Sequence, residues 1–185
     1  MSVFSSERER RLWLWTVAVV VAIYSTLGLA RTISDAMRDN GLIPLGVGLF
    51  IVGCLMVLAA VITQGLRSRP AGIEIAVALG VAASYIFVFV RMGSQVERSH
   101  LVEYGVVAIF IFEALSERAA NGRRVPFPAL LAILAATIFG VLDELIQLFL
   151  PSRVFDPIDM FFNFGAAAMA VSASVAIKWA RRRVK

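Results

Sequence analysis

Between Asp143 and Gly165 the sequence reads D-E-L-I-Q-L-F-L-P-S-R-V-F-D-P-I-D-M-F-F-N-F-G, setting seven strongly polar side chains inside or beside two apolar stretches. An ionisable group at the centre of a bilayer helix costs roughly 2.5–3.5 kcal/mol on insertion scales, so such groups face a bundle interior or mark a working site. A second polar group stands upstream, where His100, Glu103 and Tyr104 open another apolar stretch. Two chemistries fit these residue types. Carboxylates beside an imidazole can serve as general acid and base or ligate a divalent metal. The same groups, with Arg153 nearby, can hold the phosphate, carboxylate, sugar or amide of a polar head.

Helical spacing decides which of these side chains can meet. Residues three and four apart share a face. His100, Glu103, Tyr104 and Val107 form one such face. Ala132, Ala136 and Gly140 form a small-residue seam that runs into Glu144, with Asp143 and Gln147 flanking it. Asp159 and Asn163 lead into Ala166 and Ala170 in the same way. Small seams let membrane helices approach closely, so the last two helices are expected to pack with their polar ends opposed. The expected ligand-binding set is His100, Glu103, Tyr104, Asp143, Glu144, Gln147, Arg153, Asp156, Asp159 and Asn163. Glu144, Asp143, Glu103 and His100 are the candidates for acid–base work, and the spacing names no particular metal or cofactor.

Plainer roles compete at several positions. Asp156-Pro157 reads as a helix N-cap followed by proline at the first helical position. Tyr104 also fits an interfacial anchor, and Trp13, Trp15 and Trp179 fit an aromatic belt. Gly46, Gly48 and Gly53 fit close helix packing, and Cys54 a small packing residue. Glu113 and Glu117 are expected to pair with Arg118 or reach water. For the acidic pair, Arg153 is the nearest cation in sequence, with His100 and Arg98 as alternatives. Asp143 lies at the edge of the seam, where it can reach the external turn.

The elements that must position these groups follow from composition. The 185 residues are 59% hydrophobic and 17% charged, with a mean hydropathy of +0.82. This describes a polytopic membrane protein, all-α, built as a single membrane domain over 1–185. A helix crossing a 30 Å hydrocarbon core needs about 20 residues. Six stretches qualify: 12–30, 42–64, 73–90, 101–116, 129–150 and 158–179. The first could instead be a signal peptide, with Gly28-Leu29-Ala30 as its cleavage site, but its apolar run is long for one. With the N-terminus in the cytoplasm, thirteen of the 18 Lys and Arg residues fall in cytoplasmic segments, so both termini are expected there. That orientation gathers the whole candidate site at the extracytoplasmic side.

The net charge of +5 follows from the same topology and from anionic headgroups, so nucleic acid is not expected as a partner. One cysteine excludes an intrachain disulfide and a cysteine-based zinc motif. No nucleophile elbow, HExxH motif or phosphate-binding loop is present.

The stretch E-R-S-H-L-V-E-Y-G from Glu97 to Gly105, and D-E-L-I-Q with the turn and Asp/Asn helix start up to Gly165, resemble the VanZ-like family of small bacterial membrane proteins. The resemblance covers about 97–176, and the spans over 12–90 carry no motif of it. Ile146 departs from it, standing where many members carry histidine. The resemblance implies a multi-pass protein of the bacterial cytoplasmic (inner) membrane with a cell-envelope role, in a family named for resistance to a lipid-bearing glycopeptide antibiotic. The expected function is binding of an outer-leaflet lipid, a lipid-linked wall precursor or an amphiphilic antibiotic. A metal- or acid/base-dependent hydrolase or transferase acting on an envelope lipid is the alternative. A small subunit of a larger membrane complex is a further one, and a proton-coupled carrier is weakened by the lack of internal repeats.

Overall fold

The computed structural model describes residues 3–27, 35–46, 48, 52, 71–91, 95–150 and 155–184. Among these, every regular element is helical. Five long helices are bounded: α1 (Glu7–Thr26), α2 (Gly72–Arg91), α3 (Gln95–Ala120), α4 (Pro128–Gln147) and α5 (Pro157–Val184). Helical turns also occur over 35–39 and 43–46.

Local sequence explains where the helices begin and end. Ser6 caps α1 by accepting from the Glu9 amide at 3.0 Å, while Glu9 reaches back to the Ser5 amide at 2.6 Å. This is a capping box displaced by one residue. Glu74 performs the same back-reach at α2, accepting from the Ala71 amide at 2.9 Å. At the end of α3, Gly122 takes a φ of +79°, and the Arg123 amide donates back to the Arg118 carbonyl at 3.2 Å. That is the left-handed glycine stop that satisfies the last carbonyls of a helix. Proline opens both α4 and α5, where its missing N–H has no partner to lose.

α3 is the centre of the bundle, packed against α1, α4 and α5, while α4 and α5 pack on each other. The small-residue seams are buried as expected: Ala132, Ala136 and Gly140 on α4 meet Ala166, Ala167 and Ala170 on α5 and the face of α3. Gly105 of α3 lies so close to α5 that an added Cβ would stand 3.6 Å from the Ala170 Cβ. Gly46 also packs closely, against Met37, whereas at Gly48 an added Cβ would meet none of the described residues within 4 Å. α2 covers one side of the bundle, with Tyr85 and Val88 against Leu101, Tyr104 and Ala166.

The outward faces are apolar. Leu134, Ile138, Phe149 and Phe161 are all well exposed. Among the described residues, α4 and α5 are long and apolar enough to cross a membrane, with mean hydropathies of 2.1 and 1.7 over their best windows. Only 28% of each window is buried. A core helix of a water-soluble protein with that hydropathy would hide most of its surface. α2 has a shorter apolar stretch over Gly72–Val88. The expected 101–116 stretch is the middle of the 26-residue α3, and α1 starts five residues before its expected apolar run. The 42–64 stretch, Arg31, Cys54 and Gly53 lie outside the described residues, apart from the few named positions near 42–52.

The end of the bundle formed by the start of α1 and the ends of α3 and α5 is held by ion pairs. Arg8 bonds Glu113 at 3.3 Å and Glu117 at 2.8 Å, and Lys178 reaches Glu113 at 2.6 Å. Arg118, expected to serve Glu113 and Glu117, instead bonds Glu9 at 2.8 Å, because it faces α1 rather than its own helix. Burial pushes the Glu9 carboxyl up, but the Ser5 hydroxyl and amide and the Arg118 guanidinium outweigh it, holding the group at about 2. The Ser6 hydroxyl, against some burial and with help from Asn121 and Arg8, holds Glu117 below its usual range. Trp179 is exposed near the end of α5 and Trp15 is exposed midway along α1, whereas Trp13 is partly buried and packs on the core.

Candidate functional site

The opposite end of the bundle carries the polar cluster. His100 and Asn163 lie in the early turns of α3 and α5, and Asp143, Glu144 and Gln147 in the last turns of α4. His100 is 17 residues from Glu117 on α3, so the two polar ends stand about 25 Å apart at 1.5 Å per residue. Helices of alternating direction bring these termini together without any long loop.

Asn163 is the hub. Its side chain is fully buried between α4 and α3. Its Nδ2 donates to the Gly140 carbonyl at 3.3 Å, and its Oδ1 lies 2.6 Å from His100 Nδ1. A carbonyl can only accept, so the amide nitrogen must face Gly140 and the amide oxygen must face the imidazole. Nδ1 therefore carries the hydrogen of that bond. In neutral His100 the lone pair is then on Nε2, which points towards Asp159 Oδ2 at 3.8 Å. Tyr104 stacks on the imidazole with ring centroids 5.8 Å apart and an interplanar angle of 12°, fixing the ring plane.

Only glycine at 140 permits this arrangement. An added Cβ would stand 2.6 Å from the Asn163 Cβ and 2.7 Å from its Nδ2. The last residue of the small seam is thus a slot for the asparagine as well as a packing position.

Glu144 is fully buried and held from two sides. Its Oε1 accepts from Gln147 Nε2 at 3.0 Å, and its Oε2 from the Asp156 amide at 3.2 Å. Asp156 caps α5 as its sequence context predicts, its Oδ1 accepting from the Ile158 amide at 2.8 Å. Its backbone N–H meanwhile ties the turn to Glu144. The expected contact of Asp143 with Arg153 of the turn falls on a residue outside the described ones, and among the described residues Glu144 accepts from the turn's Asp156 amide. Asp143 is buried on another side of α4, in the company of Tyr104 and Tyr24.

Ligand atoms of His100, Glu144 and Asp159 lie within 4.8 Å of one another. These three, with Asn163 and Gln147 behind them, form the assembled site. Tyr104 stacks on its imidazole, with Asp143 beside Tyr104 on another side of α4. Glu103 is only half-buried and is not among the three converging groups. Arg153 and the side chain of Arg98 lie outside the described residues; within the described ones the His100 imidazole stands beside the carboxylates, its Nε2 3.8 Å from Asp159 Oδ2. Tyr24 and the Gly140 carbonyl were not expected from the sequence. The hydroxyl of Tyr24 donates to the Phe139 carbonyl at 2.8 Å, close to Asp143. Its signal was a lone tyrosine near the far end of the first apolar stretch.

An apolar groove adjoins the cluster. Tyr85 and Ile86 of α2, with Leu101, Val102, Gly105 and Ile109 of α3, line a volume of about 410 Å³. It begins at the residues that directly follow His100 and runs along α3 towards the other end of the bundle. A polar cage beside an apolar trough can accept a molecule with a polar head and a hydrocarbon tail, or offer a basic nitrogen to a substrate placed there. No protein-family model matches the chain, and no curated protein or solved structure is similar to it.

Proposed function

We propose that the chain is a VanZ-like, multi-pass protein of the bacterial cytoplasmic membrane, with six spans and both termini in the cytoplasm. In this reading it binds the polar head of an envelope amphiphile at its extracytoplasmic end: an outer-leaflet lipid, a lipid-linked wall precursor or an amphiphilic antibiotic. The single observation that carries it is the convergence of His100, Glu144 and Asp159 at one end of an apolar-faced bundle. Asymmetry of Lys and Arg supports placing that end outside. The groove between α2 and α3 supports a tail lying beside the head, because it opens at the same depth as His100.

A specific observation favours a second reading. The hydrogen bond to Asn163 leaves Nε2 of neutral His100 as a base flanked by two carboxylates. Such a group suits a hydrolase or transferase acting on an envelope lipid. Release of a water-soluble product from a labelled lipid would favour this reading, and stable retention would favour binding.

The test uses purified protein in nanodiscs made from envelope lipid extract. Native mass spectrometry should find a retained amphiphile on the wild type, much less on Glu144→Gln, and less on Val102→Trp, which fills the groove. Glu144→Gln keeps the shape and the acceptor for the Asp156 amide but removes the ionisable carboxyl. Equal retention by all three proteins at equal membrane abundance rejects the reading. Topology is checked separately with single cysteines. Ser152→Cys should react with an impermeant thiol reagent from outside and Arg123→Cys only after permeabilisation. The reverse pattern overturns the orientation.

A further inference from the structure

The side-chain geometry at the polar end supports a narrower chemistry than head-group binding. We propose that His100 Nε2, Glu144 and Asp159 form a binding site for a divalent transition-metal ion of the zinc class. The proposal rests on ligand geometry and does not depend on any amphiphile being bound.

The convergence itself is the first observation. Ligand atoms of the three residues fall within 4.8 Å of one another, and His100 Nε2 is 3.8 Å from Asp159 Oδ2. Ligands 2.0–2.1 Å from a tetrahedral zinc ion stand about 3.3 Å apart. Half an ångström of side-chain adjustment closes the His100–Asp159 edge. The edges to Glu144, at most 4.8 Å, must shorten by up to about 1.5 Å.

The outer shell is the second, independent observation. A metal-bound imidazole generally donates its other N–H to an oxygen, which fixes its tautomer and ring orientation. Here Nδ1 meets Asn163 Oδ1 at 2.6 Å, and Asn163 is itself anchored on the Gly140 carbonyl. His100 is 97% buried, stacked on Tyr104, and its free nitrogen is aimed at the two carboxylates. Glu144 has the matching support from Gln147 and the Asp156 amide. Each of its oxygens keeps a second lone pair for a ligand. These supports hold the donors in place before any ion arrives.

Donor types select the ion. Calcium and magnesium take oxygen ligands, whereas one imidazole with two carboxylates suits zinc, manganese, cobalt or iron. Three protein donors leave at least one position for water or for an oxygen of a bound head group, which is the pattern of reactive rather than purely structural sites.

The test is made on the full chain in detergent, stripped with chelator, loaded with Zn²⁺ or Co²⁺ and desalted. Elemental analysis should show near-stoichiometric metal on the wild type, and cobalt loading should give visible absorption of a low-coordinate site. Magnesium and calcium in excess should not compete. His100→Ala and Asp159→Asn should each abolish retention. Asn163→Ala, which leaves the ligands intact, should weaken affinity about 10–100-fold. Asp159 sits near the mouth with its side chain 13% exposed, so Asp159→Asn decides the matter if His100→Ala does not fold. A wild type that retains no metal, or retention unchanged in folded Asp159→Asn, overturns the proposal.

Discussion

Replacing Gly140 by alanine places a methyl group where Asn163 already stands. The new Cβ would meet the Asn163 Cβ at 2.6 Å, Nδ2 at 2.7 Å and Cγ at 2.9 Å. The nearest of these atoms is bonded to the α5 backbone, so a rotamer change alone does not relieve the clash. Either α4 and α5 separate, or Asn163 leaves its slot and releases both Gly140 and His100. Overpacking a tight interface costs typically 1–3 kcal/mol, and each lost hydrogen bond about 0.5–1.5 kcal/mol. Alanine returns about 1 kcal/mol through helix propensity. The net expectation is a loss of about 1–3 kcal/mol, read as a lower midpoint in thermal unfolding of the detergent-solubilised protein. Internal controls isolate the cause. At Gly165 and Gly80 an added Cβ meets nothing within 4 Å, and at Gly105 it makes an ordinary 3.6 Å contact. Gly165→Ala and Gly80→Ala should therefore be neutral or slightly stabilising, and Gly105→Ala close to neutral. If Gly140→Ala matches Gly165→Ala in stability, Asn163 does not fill the slot and the account of the hub is wrong.

Two further outcomes follow from the ends of the helices. Glu9 has a folded-state carboxyl held at about 2 against an ordinary 4.5, so its contribution is complete above pH 4.5 and disappears as pH falls towards 2. Acid titration of unfolding should show this loss in the wild type and a flatter profile in Glu9→Gln; identical profiles would mean that Arg118 and Ser5 do not hold the charge. Asp156→Ala removes the α5 cap and should cost about 0.5–2 kcal/mol, with Asp156→Asn close to wild type. A tolerated Asp156→Ala would show that the proline at 157 starts the helix unaided.

Much of the arrangement was legible in residue spacing. Ala132, Ala136 and Gly140 repeat every four residues, as do Asn163, Ala166–Ala167 and Ala170 within a turn, and these define which faces of α4 and α5 can touch. Because Glu144 and Asn163 stand at the ends of those seams, their burial followed. What spacing could not decide is which neighbour each acidic residue meets. Asp143 and Glu144 are adjacent and so point about 100° apart on a helix of 3.6 residues per turn. One faces Tyr104 and Tyr24, the other the start of α5. The true length of α3 was hidden for a related reason. His100, Glu103, Glu117 and Arg118 interrupt the apolar run, yet they continue the helix, with His100, Glu117 and Arg118 partnered by residues distant in sequence. The ion pairs of Arg118 and Arg8 needed knowledge of how α1 crosses α3, which no local pattern contains.

The clasp between the first helix and α3 sets the timing of assembly. Arg8 meets Glu117 across 109 residues of sequence, and Arg118 reaches back to Glu9 and to the Val3 carbonyl. At 5–20 residues per second, a ribosome takes about 5–20 s to make that stretch. During this interval α1 exists without its α3 partners, and Arg8 and Glu9 at its start lack Glu117 and Arg118. The bundle therefore cannot mature helix by helix from the N-terminus; it closes when α3 arrives and returns to capture the oldest part of the chain. A bulky fusion placed directly ahead of Val3 is therefore expected to slow that closure, read as a lower yield of folded protein than with the same fusion after Val184.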